Sequence, residues 1–409
     1  MSAPQTAAVT APPGRDRAMA MTRWRLVALL GALSMFAPLC TDMYLPALPA
    51  MAHSLHASAA ALNLTLTASM LGLGCGQLIS GPLSDAYGRR RPVLVGLVVY
   101  VASSAACALC NDVWTLSAVR LLQGAAGAAG IVVGRAIVRD LFDGIEAARL
   151  FSRLMIVIGL APILAPLIGG QLLHVTDWRG IFITLAAGGA LLLAVCLRAL
   201  PETLPVSLRH HGGGAGSMRV MSGLLRDRRF AGLTVIQGLF FAALFSYIAG
   251  SSFALENVFG VSPQLFGLIF GVNALGLVIA SQVGARYVGR VGPRRLATIG
   301  LGGATVTGVV LLVAILAHAG IWIVLPCFFS LMVNYGLVGP NLTALAMAIH
   351  PRSSGGASAL IGSIQFTAGA AVAPLVGLSG TRSAVPMGML IAVSVLVSMG
   401  VWWHWESRA

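Results

Sequence analysis

Asp42 and Arg120 are charged residues set within long apolar segments of the sequence. Asp42 follows sixteen mostly apolar residues that begin at Leu26, and the apolar stretch MYLP follows it. A charge at the centre of a lipid bilayer costs at least ~2.5 kcal/mol and by default indicates a functional site with a partner. Burial disfavours an ionised carboxylate, whereas a nearby cation favours it. The chemistry that these residue types offer together is the binding and release of a proton.

Apolar segments of membrane-spanning length make up most of the chain. Its 409 residues are 57% hydrophobic and 9% charged, with a mean hydropathy of +0.89, whereas a soluble domain carries about 25% charged residues. Twelve apolar stretches follow one another, the first at 24–48 and the fourth at 113–136. Helices of about twenty residues cross a bilayer core of ~30 Å. The sequence therefore predicts an all-α polytopic membrane protein with twelve transmembrane helices.

Depth along these helices predicts that Asp42 and Arg120 meet. At about 1.5 Å per residue, Asp42 lies roughly 24 Å from the face where the first helix enters. Arg120 lies roughly 9 Å from the opposite face, where the fourth helix enters near Trp114. In a core of ~30 Å the two depths agree within about one helical turn. An alternative is that the two residues only lock the first helix to the fourth.

The basic residues are distributed unevenly between the two sides of the membrane. All 26 are arginines, and the net charge is +14. If the N-terminus is cytoplasmic, only Arg179 and Arg382 face outward and Arg120 lies within a helix, while the other 23 lie in cytoplasmic segments or at their helix ends. This asymmetry follows the positive-inside rule and predicts that both termini are cytoplasmic. The basicity is a topology signal, so we expect no nucleic-acid partner.

The chain is predicted to contain two halves that repeat. A cytoplasmic tail at 1–22 precedes a six-helix bundle at 23–200, and a linker at 201–229 leads to a second six-helix bundle at 230–409. The loop GPLSDAYGRRRPVL after the second span is echoed by GARYVGRVGPRRLA after the eighth. Parallel repeats of this kind are typical of transporters whose site lies between the halves, near the midplane.

Several motifs resemble those of the major facilitator superfamily. GPLSDAYGRRRP resembles its loop between helices 2 and 3, LSAVRLLQGAAGAA its fourth helix, and GLAPILAPLIGGQL the antiporter motif of its fifth helix, with Ala165 in place of a glycine. TDMYLPALPAM, with DWRGIFITL and PET at the two ends of the sixth helix, is similar to the Bcr/CflA-type drug:proton antiporters of bicyclomycin and chloramphenicol resistance. The matching residues are Gly81, Asp85, Gly88, Arg89 and Arg90 in the loop, Arg120, Gln123, Gly124 and Gly127 in the fourth helix, and Pro166, Gly169 and Gly170, with Pro162 one turn earlier, in the fifth.

The resemblance implies the major facilitator fold of two six-helix pseudo-repeat bundles. It also implies a proton-coupled secondary transporter that exports a small amphipathic drug or metabolite across the inner membrane by alternating access. Asp42 and Arg120 would couple protons or contact substrate. The proton gradient would drive transport without a cofactor, and the partners would be the small-molecule substrate, protons and the lipid bilayer. We expect a monomer.

Other residues are candidates for a cytoplasmic gate and for a substrate cavity. Asp85, with Gly81, Gly88, Arg89 and Arg90, is predicted to hold the halves together at the cytoplasmic surface, by facing a helix N-terminus or by pairing with an arginine. A drug cavity needs apolar walls and a few polar anchors. The candidates for its lining are Tyr44, Asn63, Thr67, Gln237, Phe241, Tyr247, Asn273, Asn334, Tyr335 and Gln365, with Phe245 and Phe366 as further stacking surfaces.

Two other functions stay open at this point. A proton-coupled importer of a small metabolite would use the same fold, because the repeat does not set the direction of transport. An intramembrane enzyme is disfavoured, since no span carries HExxH or paired carboxylates and no loop carries a P-loop. Cys107 and Cys110 have CxxC spacing but no second ligand pair, so we predict no metal site.

Overall fold

The protein consists of long helices joined by short connections. The computed structural model describes residues 23–142, 144–209, 222–350, 354–378, 380 and 383–406. The predicted tail at 1–22, residues 210–221 of the predicted linker, and Arg382 lie outside the described residues. The described part of the chain has no β-strand and has twelve long helices: α1 Arg23–Asp42, α2 Ala59–Tyr87, α3 Arg90–Leu109, α4 Val113–Leu141, α5 Gly144–Leu172, α6 Trp178–Ala199, α7 Arg228–Ser252, α8 Pro263–Val291, α9 Pro293–Leu316, α10 Ile321–Ile349, α11 Ser354–Val376 and α12 Val385–Glu406.

Two of these helices continue past a change of geometry. After α1 ends at Asp42, a 3₁₀ turn at Leu45–Ala47 and a short helix at Leu48–Ser54 follow, with prolines at the start of both. Proline has no N–H to donate and its ring clashes with the carbonyl four residues earlier, which for Pro46 is the carbonyl of Asp42, so α1 breaks here. After α7, the chain makes a π-helical turn over Phe253–Val258. We call residues 45–54 the α1 extension and Phe253–Val258 the α7 extension.

The helices have the length and composition of membrane spans. Ten helical segments of the described chain, counting both extensions with their helices, are long and apolar enough to cross a bilayer. In α5 and α11 the apolar helices that meet the same test are shorter, Gly159–Leu172 and Leu360–Val376. Large apolar side chains are exposed on the outside of the bundle, among them Val95, Leu191, Val306 and Leu396. Exposed apolar residues around every side of a helical bundle are expected where lipid is the solvent.

Helix contacts in the first half recur in the second with an offset of six helices. The pairs α2–α4, α3–α4, α3–α6, α1–α4 and α1–α5 correspond to α8–α10, α9–α10, α9–α12, α7–α10 and α7–α11. Small residues permit the closest of these approaches, since a side chain at Gly72 would overlap the carbonyl of Leu121 and one at Gly124 would overlap that of Ser69. Such small-residue contacts are typical of helix packing in membranes.

Two seams, α2–α11 and α5–α8, join the first six helices to the last six. Both are tight at the end of the molecule that carries the two extensions, which we call the far end. A methyl group at Gly377 in the first seam would overlap the backbone of Ala60, and one at Gly170 in the second would lie 2.8 Å from the Pro263 carbonyl oxygen. The α1 extension also contacts the α7 extension. The far end is therefore closed in this conformation.

Candidate functional site

The break at the end of α1 creates a binding site for Arg120. A helix that ends leaves its last carbonyl groups without backbone partners. The Nη1 atom of Arg120, which is fully buried on α4, donates a 2.7 Å hydrogen bond to the carbonyl oxygen of Cys40 and a 2.6 Å bond to Oε1 of Gln123. The arginine thus ties α4 to the broken end of α1.

Aromatic rings complete the surroundings of the Arg120 guanidinium. Its central carbon lies 4.3 Å from the ring centroid of Tyr44 and 5.8 Å from that of Phe182, distances at which a cation is attracted to the face of a ring. The Tyr44 hydroxyl lies 3.0 Å from Oγ1 of Thr65. Tyr44 was predicted to line a cavity, but here it is fully buried and packs against the arginine.

A buried polar chain connects Arg120 to α3. Nε2 of Gln123 donates a 2.7 Å hydrogen bond to Oγ of Ser104, which donates in turn to the carbonyl of Tyr100. Two other donors of Arg120, Nε and Nη2, are buried and have no hydrogen-bond partner among the described residues. Leaving a buried donor unsatisfied is costly, so an oxygen acceptor brought to these two nitrogens would be favoured.

Asp42 lies beside this cluster but is not ion-paired with it in this conformation. The residue is buried, at 8% exposure, within a membrane-spanning segment. Among the described residues, no arginine or histidine nitrogen lies within 4.0 Å of its carboxylate. The predicted meeting of α1 and α4 at this depth is seen in the Arg120–Cys40 bond, but the direct Asp42–Arg120 contact is not made. The broken helix offers the arginine a backbone carbonyl instead.

A second polar cluster lies where α2 turns into α3. Gly88 has a φ of +87°, a left-handed geometry that suits glycine. The amide N–H groups of Arg89 and Arg90 donate to the two carboxylate oxygens of Glu202, at 2.8 and 3.2 Å. A carboxylate at a helix N-terminus is favoured by the free N–H groups and by the helix dipole. Glu202 therefore caps α3, and Arg90 Nη2 also donates to the Leu197 carbonyl at 2.6 Å.

The Arg89 side chain is buried at the centre of this cluster. Its Nε and Nη2 atoms donate to the Asp140 carboxylate at 2.8 and 3.2 Å, and its Nη1 atom donates to Asp85 at 2.5 Å and Ser84 at 2.6 Å. Burial acts to lower the pKa of Arg89, but the Asp140 and Asp85 carboxylates outweigh it and raise the pKa above its ordinary value. Thr203 donates to Asp140 as well.

The cluster differs in two ways from the predicted gate. Of the two partners predicted for Asp85, the structure has an arginine, Arg89, one turn away on the same side of the turn, whereas Glu202 takes the helix N-terminus. Every contact described for the cluster lies within residues 81–209, so among the described residues it does not link the two halves. Gly81 faces α4, with Val132 as its neighbour.

The α5 motif packs against both the broken end of α1 and the second half of the chain. A side chain at Gly169 would overlap the carbonyl of Met43, directly after Asp42, whereas one at Gly170 would meet Pro263 at the start of α8. The two prolines of the motif lie within α5, at Pro162 and Pro166. The glycine pair thus places α5 between the Asp42 region and the α5–α8 seam.

The polar candidates for a cavity lining fall into different environments. Thr67 Oγ1 donates to the Ala370 carbonyl at 2.9 Å across the α2–α11 seam. Asn63, on the same helix, is fully buried, and neither of its amide atoms has a partner among the described residues. Gln237 Nε2 donates to Thr343 at 2.7 Å, while its Oε1 atom is buried without a described partner.

Other candidates pack inside the second half. Asn273 donates to the Tyr247 hydroxyl at 2.9 Å, and both side chains are buried. Asn334 faces α9, where its Oδ1 atom occupies the space that a side chain at Gly303 would need. These three residues were predicted to line a cavity, yet in this conformation they bond or pack within α7–α10.

A group of aromatic side chains lies nearer to the α2–α11 seam. Tyr335 stacks on Phe240 with 5.4 Å between ring centroids, and Phe241 contacts Tyr335, Phe245 and Phe366. Phe366, on α11, also packs against a small apolar cluster of α1, α2 and α4. The aromatic group therefore reaches the first half of the chain. Gln365, its neighbour on α11, is partly exposed.

The sequence is similar to those of known proteins. A family model of the Major Facilitator Superfamily matches residues 30–374. The chain is 38% identical to the uncharacterized MFS-type transporter YdgK of Bacillus subtilis, over 94% of this chain and 95% of that one. It is 30% identical to a bicyclomycin resistance protein homolog of Haemophilus influenzae, over 93% and 96%, and 29% identical to a chloramphenicol resistance protein of Pseudomonas aeruginosa, over 80% and 76%.

Solved structures agree on the fold. The partially occluded, inward open xylose transporter XylE of E. coli superposes with a TM-score of 0.72 over 93% of this chain and 97% of that one, at 13% identity. Identity this low speaks for the fold alone, while the family model and the relatives cover most of the sequence. The chain therefore belongs to the major facilitator superfamily, a family of membrane transporters, alongside relatives named for bicyclomycin and chloramphenicol resistance.

Proposed function

We propose that the protein exports a small amphipathic drug or metabolite in exchange for protons. The observation that carries this proposal is a buried carboxylate, Asp42, with no ion-pair partner among the described residues, two residues from the Cys40 carbonyl that Arg120 binds, at a helix break inside a spanning segment. Discontinuous helices supply ion and substrate sites in secondary transporters. The names of the resistance relatives supply the substrate class and favour export over import.

Alternating access would come from two bodies, residues 23–200 and 230–409, joined by the linker at 201–229. The recurrence of helix pairs with an offset of six helices supports this division. The bodies would rock about the α2–α11 and α5–α8 seams, a common form of motion in transporters built from repeats. The far end is closed in the present conformation, so the opposite end is the one from which substrate would enter.

The proton step would depend on how close Arg120 comes to Asp42. A cation brought to a buried carboxylate favours the ionised form, and its withdrawal favours the protonated form. In this conformation Nη1 of Arg120 is held by Cys40 and Gln123, and the carboxylate has no cation within 4.0 Å among the described residues. Rocking would move the broken end of α1 and bring Nε or Nη2 to Asp42 or to a substrate oxygen.

Substrate would bind between the halves, against the aromatic group around Phe241. Phe241, Tyr335 and Phe366 offer ring faces and edges. One turn before Phe241, the unsatisfied Oε1 atom of Gln237 would accept a hydrogen bond from a substrate N–H or O–H. A largely apolar site with few polar anchors suits small amphipathic molecules.

We also propose a membrane location, an orientation and an oligomeric state for the protein. We place the protein in the cytoplasmic membrane with both termini in the cytoplasm, on the arginine distribution. In that orientation the Arg89 cluster lies on the cytoplasmic side, where it would tune closure of that side as the halves rock. We further propose a monomer that needs no cofactor and uses the proton gradient alone.

Everted membrane vesicles test the function directly. Vesicles that contain the protein should accumulate radiolabelled chloramphenicol when respiration acidifies their lumen, and a protonophore should abolish the accumulation. Vesicles with Asp42→Asn at matched expression serve as the control. Accumulation that survives the protonophore, or that runs only in the opposite direction, would contradict proton-driven export.

A further inference from the structure

Glu256 is a second carboxylate within a membrane-spanning segment. It lies in the α7 extension, whose π-helical turn belongs to the span Arg228–Val258. Its side chain is partly buried, and its Oε1 atom accepts a 2.9 Å hydrogen bond from the Ser252 hydroxyl. No arginine or histidine nitrogen of the described chain lies within 4.0 Å of it. Glu256 is the third residue from the end of this 31-residue segment, and single π turns are frequent at functional sites.

The position of Glu256 connects it with the closure of the far end. The α7 extension packs against the α1 extension, which belongs to the other half of the chain, and against α8. Each half therefore continues its first helix past a change of geometry, and each of these two continued helices carries one acid, Asp42 or Glu256. If the halves separate at the far end, the cover that the α1 extension gives to the α7 extension is removed.

The elements around the α7 extension bring few other titratable groups near it. On the α1 extension, His53 is the titratable residue, and its side chain is exposed. On α7, Tyr247 is bonded to Asn273, while Arg228 and Arg229 are at the other end of the helix. The charged and titratable residues of α8 lie near its opposite end, at Arg286, Tyr287 and Arg290. Arg382 is outside the described residues.

Protonation of Glu256 is linked to closure of the far end by its change of environment. Glu256 is partly buried on an element that contacts the other half, and loss of water without a nearby cation favours the neutral acid. When the far end opens, water returns and the ionised form becomes acceptable. Any proton bound more tightly in the closed form must in turn favour that form. We propose that Glu256 is a second proton-binding residue whose protonation holds the far end closed and whose ionisation favours its opening.

This inference rests on the alternating access proposed above, but it is tested without substrate or transport. Spin labels are placed on cysteines at His53 in the first half and Leu265 in the second, both exposed, with the exposed Cys75 replaced by serine. The label at position 53 also removes the histidine. Double electron–electron resonance on the purified protein then reports the separation of the halves between about pH 5 and pH 9.

In the parent, the distance between the labels at positions 53 and 265 should be short at low pH. A growing population of longer distances should appear as the pH rises. Glu256→Gln should keep the short distance at every pH, and Glu256→Asp should keep the response. Ser252→Ala removes a hydrogen bond to the ionised form, so the midpoint of opening should move to higher pH.

A distance that does not change with pH in the parent would overturn the inference. So would an unchanged response in Glu256→Gln, or a response lost in Asp42→Asn and kept in Glu256→Gln. Export is measured separately in vesicles. A protein that shows the Glu256-dependent opening but exports nothing would overturn the proposed function alone.

Discussion

The Arg120 guanidinium donates a 2.7 Å hydrogen bond to the carbonyl oxygen of Cys40, two residues before Asp42. The arginine thus reaches the break in α1 but binds the backbone, not the carboxylate. Its Nε and Nη2 atoms have no hydrogen-bond partner among the described residues. The site therefore has the groups for a second arrangement, in which those donors meet the Asp42 carboxylate or a substrate oxygen.

A double-mutant cycle tests whether Arg120 and Asp42 act together. Arg120→Leu should lower proton-driven export by at least about tenfold, because it removes the cation that favours ionised Asp42. In an Asp42→Asn background the same change should do little further harm, since the interaction is already absent. Export rates of all four proteins in vesicles, at matched expression, give the coupling.

Arg120→Lys is the matched control for this cycle. It keeps the charge but loses the planar guanidinium, in which one nitrogen binds Cys40 and Gln123 and two more have no described partner. Its export rate should therefore lie between those of the parent and Arg120→Leu. Losses that multiply independently in the cycle would show that Asp42 and Arg120 act separately.

Gln123 should matter to stability as a bridge between Arg120 and α3. Gln123→Leu removes the acceptor for Arg120 and the donor to Ser104, and should lower the free energy of unfolding by about 1–3 kcal/mol. Ser104→Ala loses one of these bonds and should cost about 1 kcal/mol. Thermal unfolding in detergent measures both. A larger loss in Ser104→Ala than in Gln123→Leu would contradict the bridging role.

Gly88 and Gly292 offer a comparison at matched backbone geometry. Their φ angles are +87° and +86°, so an alanine should cost about 1 kcal/mol at either position through backbone strain. At Gly88 the new methyl group would also collide with Glu202, the cap of α3, whereas at Gly292 no atom lies within 4 Å. Gly88→Ala should therefore lower the unfolding temperature more than Gly292→Ala. Equal losses would mean that Glu202 does not hold this turn.

The pair Asp227–His350 predicts a pH dependence of stability. Burial acts to raise the pKa of Asp227, but the Arg229 amide and the His350 ring outweigh it, so the pKa is lowered overall. A carboxyl with a lowered pKa contributes stability above its unfolded pKa of about 3.9 and loses that contribution as the pH falls through its folded value. Asp227→Asn should thus be less stable than the parent at neutral pH, with the difference closing below about pH 4.

The control for this prediction is Asp177→Asn. Asp177 caps α6 through the Arg179 amide, as Asp227 caps α7 through the Arg229 amide, but its cap contains no histidine bond among the described contacts. Unfolding in detergent at neutral pH should show a smaller loss for Asp177→Asn than for Asp227→Asn. A difference between Asp227→Asn and the parent that persists undiminished at low pH would contradict the account.

The membrane-spanning helices could be predicted from the sequence because lipid demands long apolar runs. Their ends could not. The fourth span was predicted at 113–136, but α4 continues to Leu141, since hydropathy marks the apolar core of a helix and not its polar last turns. In the first span, 24–48, the run of apolar residues hid the break after Asp42, although Pro46 and Pro49 were visible signals of it.

The partners of the charged residues were harder to predict than the residues themselves. Asp42 and Arg120 could be found as charged residues within apolar segments, and Arg89 as part of a recognisable loop motif. Asp140, in the last turn of α4, and Glu202, just after the end of α6, hold Arg89 and its helix. They are far from Arg89 in the sequence, and only the fold brings them to the α2–α3 turn. The π-helical turn that carries Glu256 could not be predicted either, because its contact with the α1 extension comes from the other half of the chain.

The most direct test of the central claim compares two transport modes of Asp42→Asn in proteoliposomes. Substrate exchange between two equal pools needs only binding and movement of the halves, whereas accumulation driven by an imposed pH gradient also needs a titrating carboxyl. The variant keeps the size of the side chain but cannot titrate. We predict that Asp42→Asn retains exchange and loses gradient-driven accumulation. Accumulation at the parent's rate in this variant would contradict the account.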